Sequence, residues 1–446
     1  MKLLLIYPNR HQEIIGWGDL GAIAEPLALE YIAAGAKLDG HQVRILDLRL
    51  HPQALDNTLR TFQPDVVGLT GYSMHVLRNL ALCQEIKTVL LQCKTIVGGH
   101  HATLMPEDFF EPQIDGIIVG EGVVPFRQIL QTLAEKRAIA GIPGVWWQGK
   151  GQFIYGGLPL SFSLEELPLP DRLITLFDRG AYYIDWMRPI ALMRTTLGCP
   201  YRCSFCSLWK LMDGRYYTRD IERVLEELDT IAERYIFLVD DEPFINPKRM
   251  FQLAEAIGDA RLDKQFFAYC RIDSFLKNQE LMRTWREIGL RRVFFGLETI
   301  FDTELTDYNK RLAREQIVAG LKTARKLDIQ IFANFIIKPD YTRSEFEQIV
   351  SFIQENQVEY PSFTILTPLP GTKACETFDH IIERQPNGRP NWDLFDLQNP
   401  VTQTKLPKDE FMKEYRNLQR VFASNYAQAG HPFYQSRKES KAVPSA

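Results

Sequence analysis

The sequence predicts an α/β protein that consists of two parallel-sheet domains joined by a linker. Short apolar runs alternate along most of the 446 residues with helical segments of about ten to fifteen residues, the pattern of βαβ units. The predicted strands are apolar throughout, as expected for parallel sheets covered by helices on both faces. A stretch rich in glycine and proline, 146–188, interrupts the alternation and predicts the linker.

The first predicted domain covers residues 1–145. Its predicted strands are Leu3–Tyr7, Val43–Leu48, Asp65–Thr70, Thr95–Val97 and Ile114–Val119. Its predicted helices are Pro26–Leu38, His51–Phe62, Leu77–Leu91 and Val123–Lys136. In an open parallel sheet of this kind, ligands bind outside the carboxyl ends of the strands.

The second predicted domain covers residues 189–372 and contains six strand–helix units. Its predicted strands are Ile190–Thr195, Tyr235–Val239, Phe266–Cys270, Arg292–Phe295, Ile329–Phe335 and Ser362–Leu366. Candidate functional residues follow almost every strand, which favours a partial parallel barrel over a second open sheet. After the barrel, the sequence predicts a small helical extension over 373–430, with an amphipathic helix at Pro407–Tyr426, and a disordered tail over 431–446.

Composition excludes several classes of protein. Apolar residues make up 45% and charged residues 24%, so the chain is not mainly disordered. A net charge of −4 and the lack of a basic C-terminal module count against a nucleic-acid partner. No apolar stretch approaches the roughly 20 residues that span a bilayer, although peripheral membrane contact stays open. Seven cysteines, an odd number, suit a reduced compartment, and we expect a cytoplasmic protein.

The strongest chemical signal is the segment GCPYRCSFCSLW, which follows the first barrel strand directly. Cys199, Cys203 and Cys206 have Cys-x3-Cys-x2-Cys spacing. Three thiolates spaced in this way can hold a [4Fe–4S] cluster and leave its fourth iron free for another ligand. One alternative is zinc, but a closed zinc site needs a fourth ligand that the neighbouring sequence lacks. The others are a zinc with three thiolates and water, and three structural thiols.

These residues resemble the radical S-adenosylmethionine (SAM) superfamily, because the triplet carries an aromatic residue, Phe205, before its last cysteine. An N-terminal parallel sheet followed by a six-unit barrel is similar to the cobalamin-binding branch. The segments VDDEPFINPKR (Val239–Arg249) and FTILTPLPGT (Phe363–Thr372) resemble the hopanoid C-3 methylase-like group. The anaerobic ring-cyclase group of chlorophyll synthesis shares many of these motifs.

The resemblance implies a Rossmann-like, flavodoxin-type cobalamin-binding domain followed by a (β/α)6 radical SAM barrel. In the superfamily, SAM chelates the open iron, and one electron cleaves it to methionine and a 5′-deoxyadenosyl radical. The SAM-binding residues implied are Phe205, Asp240, Asp241, Glu242, Arg271 and Glu298. Each polar candidate has a structural alternative: the Asp pair could cap the next helix, and Arg271 could pair with Asp273.

In the N-terminal domain the resemblance implies cobalamin over the strand ends. The candidate contacts are Thr70, Ser73, Gly98, Gly99, Thr103, Gly120 and Glu121. The Asp-x-His-x-x-Gly signature that donates a lower histidine ligand is absent. His11, His75, His100 and His101 are therefore only candidate neighbours of the cobalt. The alternative is a vestigial domain that binds nothing.

The function implied is hydrogen abstraction and C-methylation of an unactivated carbon on an isoprenoid-like or other hydrophobic small molecule. A flavodoxin or ferredoxin would donate the electron. One alternative is an oxidative cyclase or ring-rearranging enzyme without net methylation. A second, of another class, is a non-catalytic iron–sulfur or cobalamin redox sensor. The sequence assigns no catalytic residue in the narrower sense of a group that reacts with the substrate.

Overall fold

A computed structural model describes residues 1–9, 22–377 and 379–422. His11 and the tail predicted for 431–446 lie outside these residues. The described residues form the two parallel sheets that the sequence predicts, each packed with helices. Within the described part of the chain, no helix has both the length and the apolar character needed to cross a bilayer.

The first domain contains a seven-stranded sheet. The strands of this part of the chain are β1 (Lys2–Tyr7), β2 (Ala22–Ile23), β3 (Gln42–Asp47), β4 (Val66–Leu69), β5 (Lys94–Val97), β6 (Gly116–Ile118), β7 (Val145–Gly149) and β8 (Gln152–Tyr155). The helices are α1 (Leu27–Leu38), α2 (Leu55–Phe62), α3 (Val76–Val89), α4 (His100–Leu104) and α5 (Val123–Ala134). The sheet order is β3-β1-β4-β5-β6-β7-β8, and the strands from β3 to β6 are parallel.

This strand order fixes where a ligand can bind. The parallel strands follow the flavodoxin-type order, which reverses between β1 and β4. Loops that leave the carboxyl ends of β1 and β4 diverge there, so they open the crevice that such sheets use for ligands. The sheet also extends past residue 145, the predicted end of the domain, because β7 and β8 add to it as an antiparallel hairpin.

The second domain is a curved sheet of six parallel strands in chain order, β10-β13-β14-β15-β16-β17. The strands of this part of the chain are β9 (Tyr183–Ile184), β10 (Ile190–Met193), β11 (Thr196–Leu197), β12 (Tyr217–Thr218), β13 (Tyr235–Leu238), β14 (Gln265–Cys270), β15 (Leu290–Glu298), β16 (Gln330–Ile337) and β17 (Tyr360–Ile365). The helices are α6 (Leu208–Leu211), α7 (Ile221–Thr230), α8 (Pro247–Asp259), α9 (Ile272–Lys277), α10 (Gln279–Glu287), α11 (Asp302–Asp307), α12 (Arg314–Lys326) and α13 (Arg343–Glu355). This is the predicted partial barrel.

The amino-terminal end of the barrel is closed by a buried ion pair. Arg292, near the start of β15, donates to Asp185 of the linker at 2.6 Å, and both side chains are fully buried. The guanidinium also lies over the rings of Tyr360 and Trp186, at 4.2 and 5.4 Å from the ring centroids. The opposite end, where the strands finish, is the end that carries the predicted functional loops.

Buried charges join the two domains through the linker. Glu25, just before α1, accepts from the backbone of Leu192 in β10 and from Arg179 of the linker. Arg179 also donates to Glu233 of the barrel at 2.5 Å. Because Glu25 accepts from the barrel backbone, and Arg179 of the linker pairs with one carboxylate from each domain, these contacts hold the two domains together.

We expect Glu30→Gln to raise stability near pH 8 and to flatten its pH dependence. Burial and the neighbouring Glu25 raise the pKa of Glu30 from 4.5 to about 8. The folded state therefore holds a proton that the unfolded state has lost between these values, and the free energy of unfolding falls as pH rises through them. Glutamine keeps the acceptor for Thr175, which donates to Glu30 at 2.6 Å.

Thermal unfolding of both proteins across this pH range measures the effect. We expect the variant to melt a few degrees higher at the alkaline end. Glu226→Gln, an exposed change on α7, is the matched control and should leave the pH dependence unchanged. If the thermal stability of Glu30→Gln and that of the unaltered chain changed equally with pH, the raised pKa of Glu30 would be contradicted.

The C-terminal region returns to the first domain. Ile381, Trp392, Phe395 and Val401 are buried against the helices of the first sheet. Described residues 373–406 contain only two short 3-10 helices, and α14 (Lys408–Val421) packs against α13 and β17. The helix predicted at Pro407–Tyr426 is thus present as α14 over its described residues, whereas the described residues of 373–406 are largely irregular and pack against the first domain.

Candidate active site

The three cysteines lie on the loop that follows β10 and β11, at the functional end of the barrel. Cys203 is buried, and Cys199 and Cys206 are half-buried. Two contacts anchor the loop on residues 307–309: the backbone N–H of Ser204 donates to the carbonyl of Tyr308 at 3.1 Å, and the Asn309 amide donates to the carbonyl of Arg202 at 3.0 Å.

Glycine is required where the loop begins. Gly198 has φ of +89°, and a β-carbon there would stand 2.1 Å from the carbonyl oxygen of Arg215. The loop therefore approaches the next segment more closely than any other residue would permit. This close approach sets the direction in which the cysteines leave the strand.

The thiols fit a cluster better than a single metal ion. Among the described residues, no three Cys, His, Asp or Glu side chains meet around one ion-sized point. In a cubane cluster each thiolate binds a different iron, so the three sulfurs do not need to meet at one point. Burial raises the pKa of Cys199 to about 11 and that of Cys206 to about 12, so iron must displace their protons when it binds.

Two of the three acidic residues at the end of β13 hold the backbone at the start of the cysteine loop. Asp240 accepts from the backbone of Thr195 at 2.7 Å, from its hydroxyl at 3.0 Å and from the backbone of Thr196. Asp241 accepts from the backbone of Gly198 at 2.9 Å. These carboxylates therefore fasten the start of the cysteine loop to the neighbouring strand.

Glu242 is the residue of this group with a buried oxygen left over. Its Oε2 accepts from the backbone N–H of Arg271 at 2.7 Å. Its Oε1 is buried and has no hydrogen-bond partner among the described residues. Burial raises the pKa of Glu242 to about 7. An unpaired buried carboxylate oxygen is costly, and a bound ammonium group would satisfy it.

Arg271 and the cysteine loop are in direct contact. The guanidinium of Arg271 lies 3.9 Å from the sulfur of Cys203 and over the ring of Tyr201. It also donates to Asp273 at 2.9 and 3.1 Å and to the carbonyl of Lys310 at 2.7 Å. The pairing with Asp273 that was an alternative at the sequence level is thus present, and Arg271 bridges the cysteine loop to the segment that follows α11.

Phe205 and Glu298 lie on one side of the cysteine loop. Glu298 accepts from Lys310 at 2.8 Å and has φ of +67°, so the chain turns sharply at the end of β15. Lys310 lies 5.8 Å from the ring centroid of Phe205, which also packs against Tyr308 at 5.1 Å. These two candidates for SAM contacts are therefore neighbours, joined through Lys310.

The predicted cobalamin residues form one edge of the first sheet. The hydroxyl of Thr103 donates to the carbonyl of Gly99 at 2.9 Å and accepts from the backbone of Gly120 at 3.0 Å. A β-carbon on Gly99 would stand 2.9 Å from the hydroxyl of Thr70. The loops after β4, β5 and β6 are therefore in contact with one another, as a single binding edge requires.

Other predicted residues at this edge have structural partners. Ser73 is hydrogen-bonded to His101 at 3.0 Å, and His101 continues to Asp108 at 2.9 Å. Glu121 accepts from the backbone of Val123 at 2.7 Å and so caps α5. Gly98 has room: a β-carbon there would come no closer than 3.8 Å to Ile118.

The remaining histidines differ in their surroundings. The ring of His75 accepts from the backbone of Tyr72 at 3.1 Å. Burial, with the Arg194 guanidinium second, lowers the pKa of His100 to about 4. The imidazole of His100 is therefore neutral at pH 7, and its ring lies 4.8 Å from that of Tyr72.

Sequence reasoning missed Arg194 and Tyr269, which connect the barrel to the first domain. Arg194 directly follows β10, and its charge acts on His100 and Glu121 of one domain and on Asp241 of the other. Burial, and then Tyr72 of the first domain and Asp241, raise the pKa of Tyr269. The sequence offered no signal for Arg194, because it falls inside the predicted strand Ile190–Thr195, and only the structure ends β10 at Met193.

The fold and site together define a class: an iron–sulfur barrel enzyme whose mouth faces an open parallel sheet with a ligand-binding edge. Comparison with known proteins agrees. Residues 193–353 match the model of the radical SAM superfamily, and residues 15–130 match the model of the B12 binding domain.

Proteins similar in sequence and fold indicate which kind of radical SAM enzyme this chain resembles. The chain is 33% identical over 405 residues to the hopanoid C-3 methylase of Methylococcus capsulatus, covering 89% of this chain and 76% of that protein. It is 24% identical over 466 residues to the anaerobic magnesium-protoporphyrin IX monomethyl ester cyclase of Rubrivivax gelatinosus, covering 99% and 80%. It also shares the fold of the radical SAM methyltransferase TsrM of Kitasatospora setae, whose structure was solved with cobalamin and a [4Fe–4S] cluster bound. The TM-score is 0.66 at 18% identity, and the match covers 84% of this chain and 73% of TsrM.

The chain belongs to the cobalamin-dependent radical SAM methyltransferase family. Its cofactors are a [4Fe–4S] cluster, SAM and cobalamin, and it is a radical SAM C-methyltransferase. The higher identity to a methylase than to a cyclase favours methylation over cyclisation. A non-catalytic sensor is not favoured either, because these relatives are named as enzymes.

Proposed function

We propose that this enzyme methylates an unactivated carbon of an isoprenoid-like or other hydrophobic small molecule. The substrate would bind between the mouth of the barrel and the ligand edge of the first domain. The observation that carries the proposal is a continuous aromatic lining on the inner face of the barrel, on the side that faces the first domain.

The lining runs across four neighbouring strands. Phe237 of β13 packs against Tyr269 of β14 at 5.0 Å, Tyr269 against Phe294 of β15 at 4.9 Å, and Phe294 against Phe332 of β16 at 5.0 Å. The same cluster includes Tyr31 of the first domain, so it belongs to the inner face rather than to the outer helix layer. Tyr269 and Phe294 are only half-buried and are thus accessible to a ligand.

This lining supports a hydrophobic substrate, because apolar and aromatic walls gain free energy when they bury apolar surface. The relative named a hopanoid C-3 methylase supports the same class of molecule. Closure of the far end by Arg292 and Asp185 leaves the mouth as the route into the bore and helps to exclude water from the reacting carbon.

We assign the cofactor contacts from the contacts that each candidate side chain makes within the protein. Cys199, Cys203 and Cys206 would hold the cluster, and Glu242 would accept from the SAM ammonium group. Phe205 and Glu298 would contact the rest of SAM on the Lys310 side. Asp240, Asp241 and Arg271 would position these groups, since their polar atoms are largely engaged with the chain. With all three cofactors bound, the family chemistry is SAM cleavage, hydrogen abstraction and methyl delivery.

Cobalamin would lie over Thr70, Gly98, Gly99 and Gly120, with Thr103 holding the loops together. Ser73 and Glu121 would support the site indirectly. Ser73 is hydrogen-bonded to His101, and Glu121 caps α5. We also propose that residues 1–145 bind cobalamin and residues 189–372 bind SAM and the cluster. Residues 146–188 would join these two units. Seven free cysteines support a reduced, cytoplasmic setting, where a flavodoxin or ferredoxin would supply electrons.

We expect Gly98→Leu to weaken cobalamin binding at least tenfold while the barrel stays folded. Gly98 has ordinary backbone angles and space for a β-carbon, so the larger side chain would fill ligand space rather than strain the loop. Gly99→Leu would not separate these effects, because Gly99 has φ of +102° and a β-carbon there would stand 2.7 Å from the carbonyl of Gly71. Binding is measured by the corrinoid absorbance that stays with the protein after gel filtration, and Gly98→Ala is the control. If Gly98→Leu retained as much corrinoid as the unaltered chain, the loop after β5 would not be part of the cobalamin site.

The function is tested with SAM that carries a trideuteriomethyl group. The anaerobically reconstituted chain is incubated with a reductant, labelled SAM and either polycyclic isoprenoids or polar small molecules, and products are analysed by mass spectrometry. We expect a product in which one trideuteriomethyl group replaces a hydrogen. A product that has lost hydrogen without gaining the label would indicate cyclisation, and labelling confined to polar substrates would contradict the proposed substrate class.

A further inference from the structure

Exposed cations surround the outer side of the cysteine loop. Arg202 directly precedes Cys203, Lys210 lies on α6, and Arg215 follows in the next turn. All three side chains are exposed. The inner side of the same loop faces Arg271, whereas these three cations extend into solvent beside the cluster site.

The three cations share one surface around Trp209. The guanidinium of Arg202 lies 5.6 Å and the ammonium of Lys210 lies 4.7 Å from the centroid of the Trp209 ring. A β-carbon on Gly214 would stand 3.8 Å from the Arg202 guanidinium, so the backbone that precedes Arg215 lies beside Arg202, and the Arg215 side chain is hydrogen-bonded to Tyr217. We call Arg202, Trp209, Lys210 and Arg215 the Trp209 patch.

The charge of the patch is not neutralised within the described chain. None of its three cations has an ion-pair partner there, whereas surface cations elsewhere, such as Arg60 and Arg283, pair with carboxylates. Asp213 is the exposed carboxylate between Lys210 and Arg215, so the patch keeps an excess of positive charge on a protein whose net charge is −4.

We propose that the Trp209 patch docks a small acidic flavoprotein electron carrier, of the flavodoxin kind. This inference rests on the proposed function, in which an external protein reduces the cluster. The reduced flavin gives up one electron, and the cluster gains it before each SAM cleavage. Complementary charge steers such encounters, and electron-transfer complexes are small and transient. Tryptophan and arginine are also the residues that most often dominate binding energy at interfaces.

Binding is measured first, by calorimetry between the reconstituted holoenzyme and an oxidised acidic flavodoxin at low and high salt. We expect Lys210→Glu to weaken binding about fivefold at low salt, and Lys210→Glu with Arg215→Glu about twentyfold, with a smaller salt dependence. Lys322→Glu, the same change on an exposed site of α12, is the control and should bind as the unaltered chain does. Equal binding by the patch variants, or equal weakening by Lys322→Glu, would overturn the proposal.

A second measurement separates this inference from the proposed function. Formation of 5′-deoxyadenosine is followed with reduced flavodoxin and, separately, with dithionite. We expect the patch variants to be slow with flavodoxin and normal with dithionite. If the unaltered chain cleaves no SAM with dithionite, the proposed function fails. If the variants keep the full rate with flavodoxin, only the docking surface fails.

Discussion

Replacement of Cys199, Cys203 and Cys206 together by alanine is expected to abolish iron–sulfur absorbance and SAM cleavage. The three thiols are the protein ligands that the loop offers, and no other cysteine or histidine joins them among the described residues. Without ligands the cluster does not assemble, so the effect on 5′-deoxyadenosine formation is a complete loss rather than a reduction. Iron analysis and the absorbance spectrum measure it directly.

The first domain should remain folded and bind corrinoid in this triple variant, because the clusters that form most of its core contain no residue of the cysteine loop. Cys83→Ala with Cys93→Ala is the matched control, since both thiols are buried in the first domain away from the loop. It should retain the full iron content. A triple variant that still held about four irons per chain and cleaved SAM would contradict the cluster assignment.

Glu242→Gln is expected to weaken SAM binding by about tenfold to a hundredfold while leaving the iron content unchanged. The variant would lose the proposed charge-assisted contact between Oε1 and the SAM ammonium group, and such a contact contributes about 1.5–3 kcal/mol. The amide can still accept from the backbone of Arg271, so the strand end is preserved. Equilibrium binding of SAM to the reconstituted protein gives the dissociation constant.

Glu287→Gln serves as the control for the loss of one carboxylate, because Glu287 is exposed on α10. Asp240→Asn provides a contrast. We expect it to lower thermal stability more than SAM affinity, since Asp240 accepts from Thr195 and Thr196. If Glu242→Gln bound SAM as tightly as the unaltered chain, Glu242 would not contact SAM, and its role would be to hold the backbone of Arg271.

Local sequence signals predicted the parts of the fold that depend on short-range pattern. Apolar runs and helical periods placed the parallel strands of both sheets, and the cysteine spacing placed the cluster loop at a strand end. The antiparallel hairpin of β7 and β8 was missed because its two glycines, Gly149 and Gly151, together with the glycines and prolines that follow it, are typical of a linker. The return of 381–401 to the first domain was also missed, because long-range packing leaves no periodic pattern.

The candidate site was predictable by position but not by role. Strand ends drew attention to Asp240, Asp241 and Glu242, yet only the hydrogen bonds distinguish the two that hold the start of the cysteine loop from the one with a free buried oxygen. Arg194 has no motif around it, and its position between the domains follows from tertiary structure alone. The aromatic lining arises from four strands that are far apart in sequence.

The account is tested most directly by counting cofactors on the full chain after anaerobic reconstitution with iron, sulfide and hydroxocobalamin. We predict about four irons and one tightly held corrinoid per chain, with 5′-deoxyadenosine formed on reduction in the presence of SAM. A chain that cleaves SAM but retains no corrinoid would contradict the account, because the first domain would then be vestigial and could not deliver a methyl group.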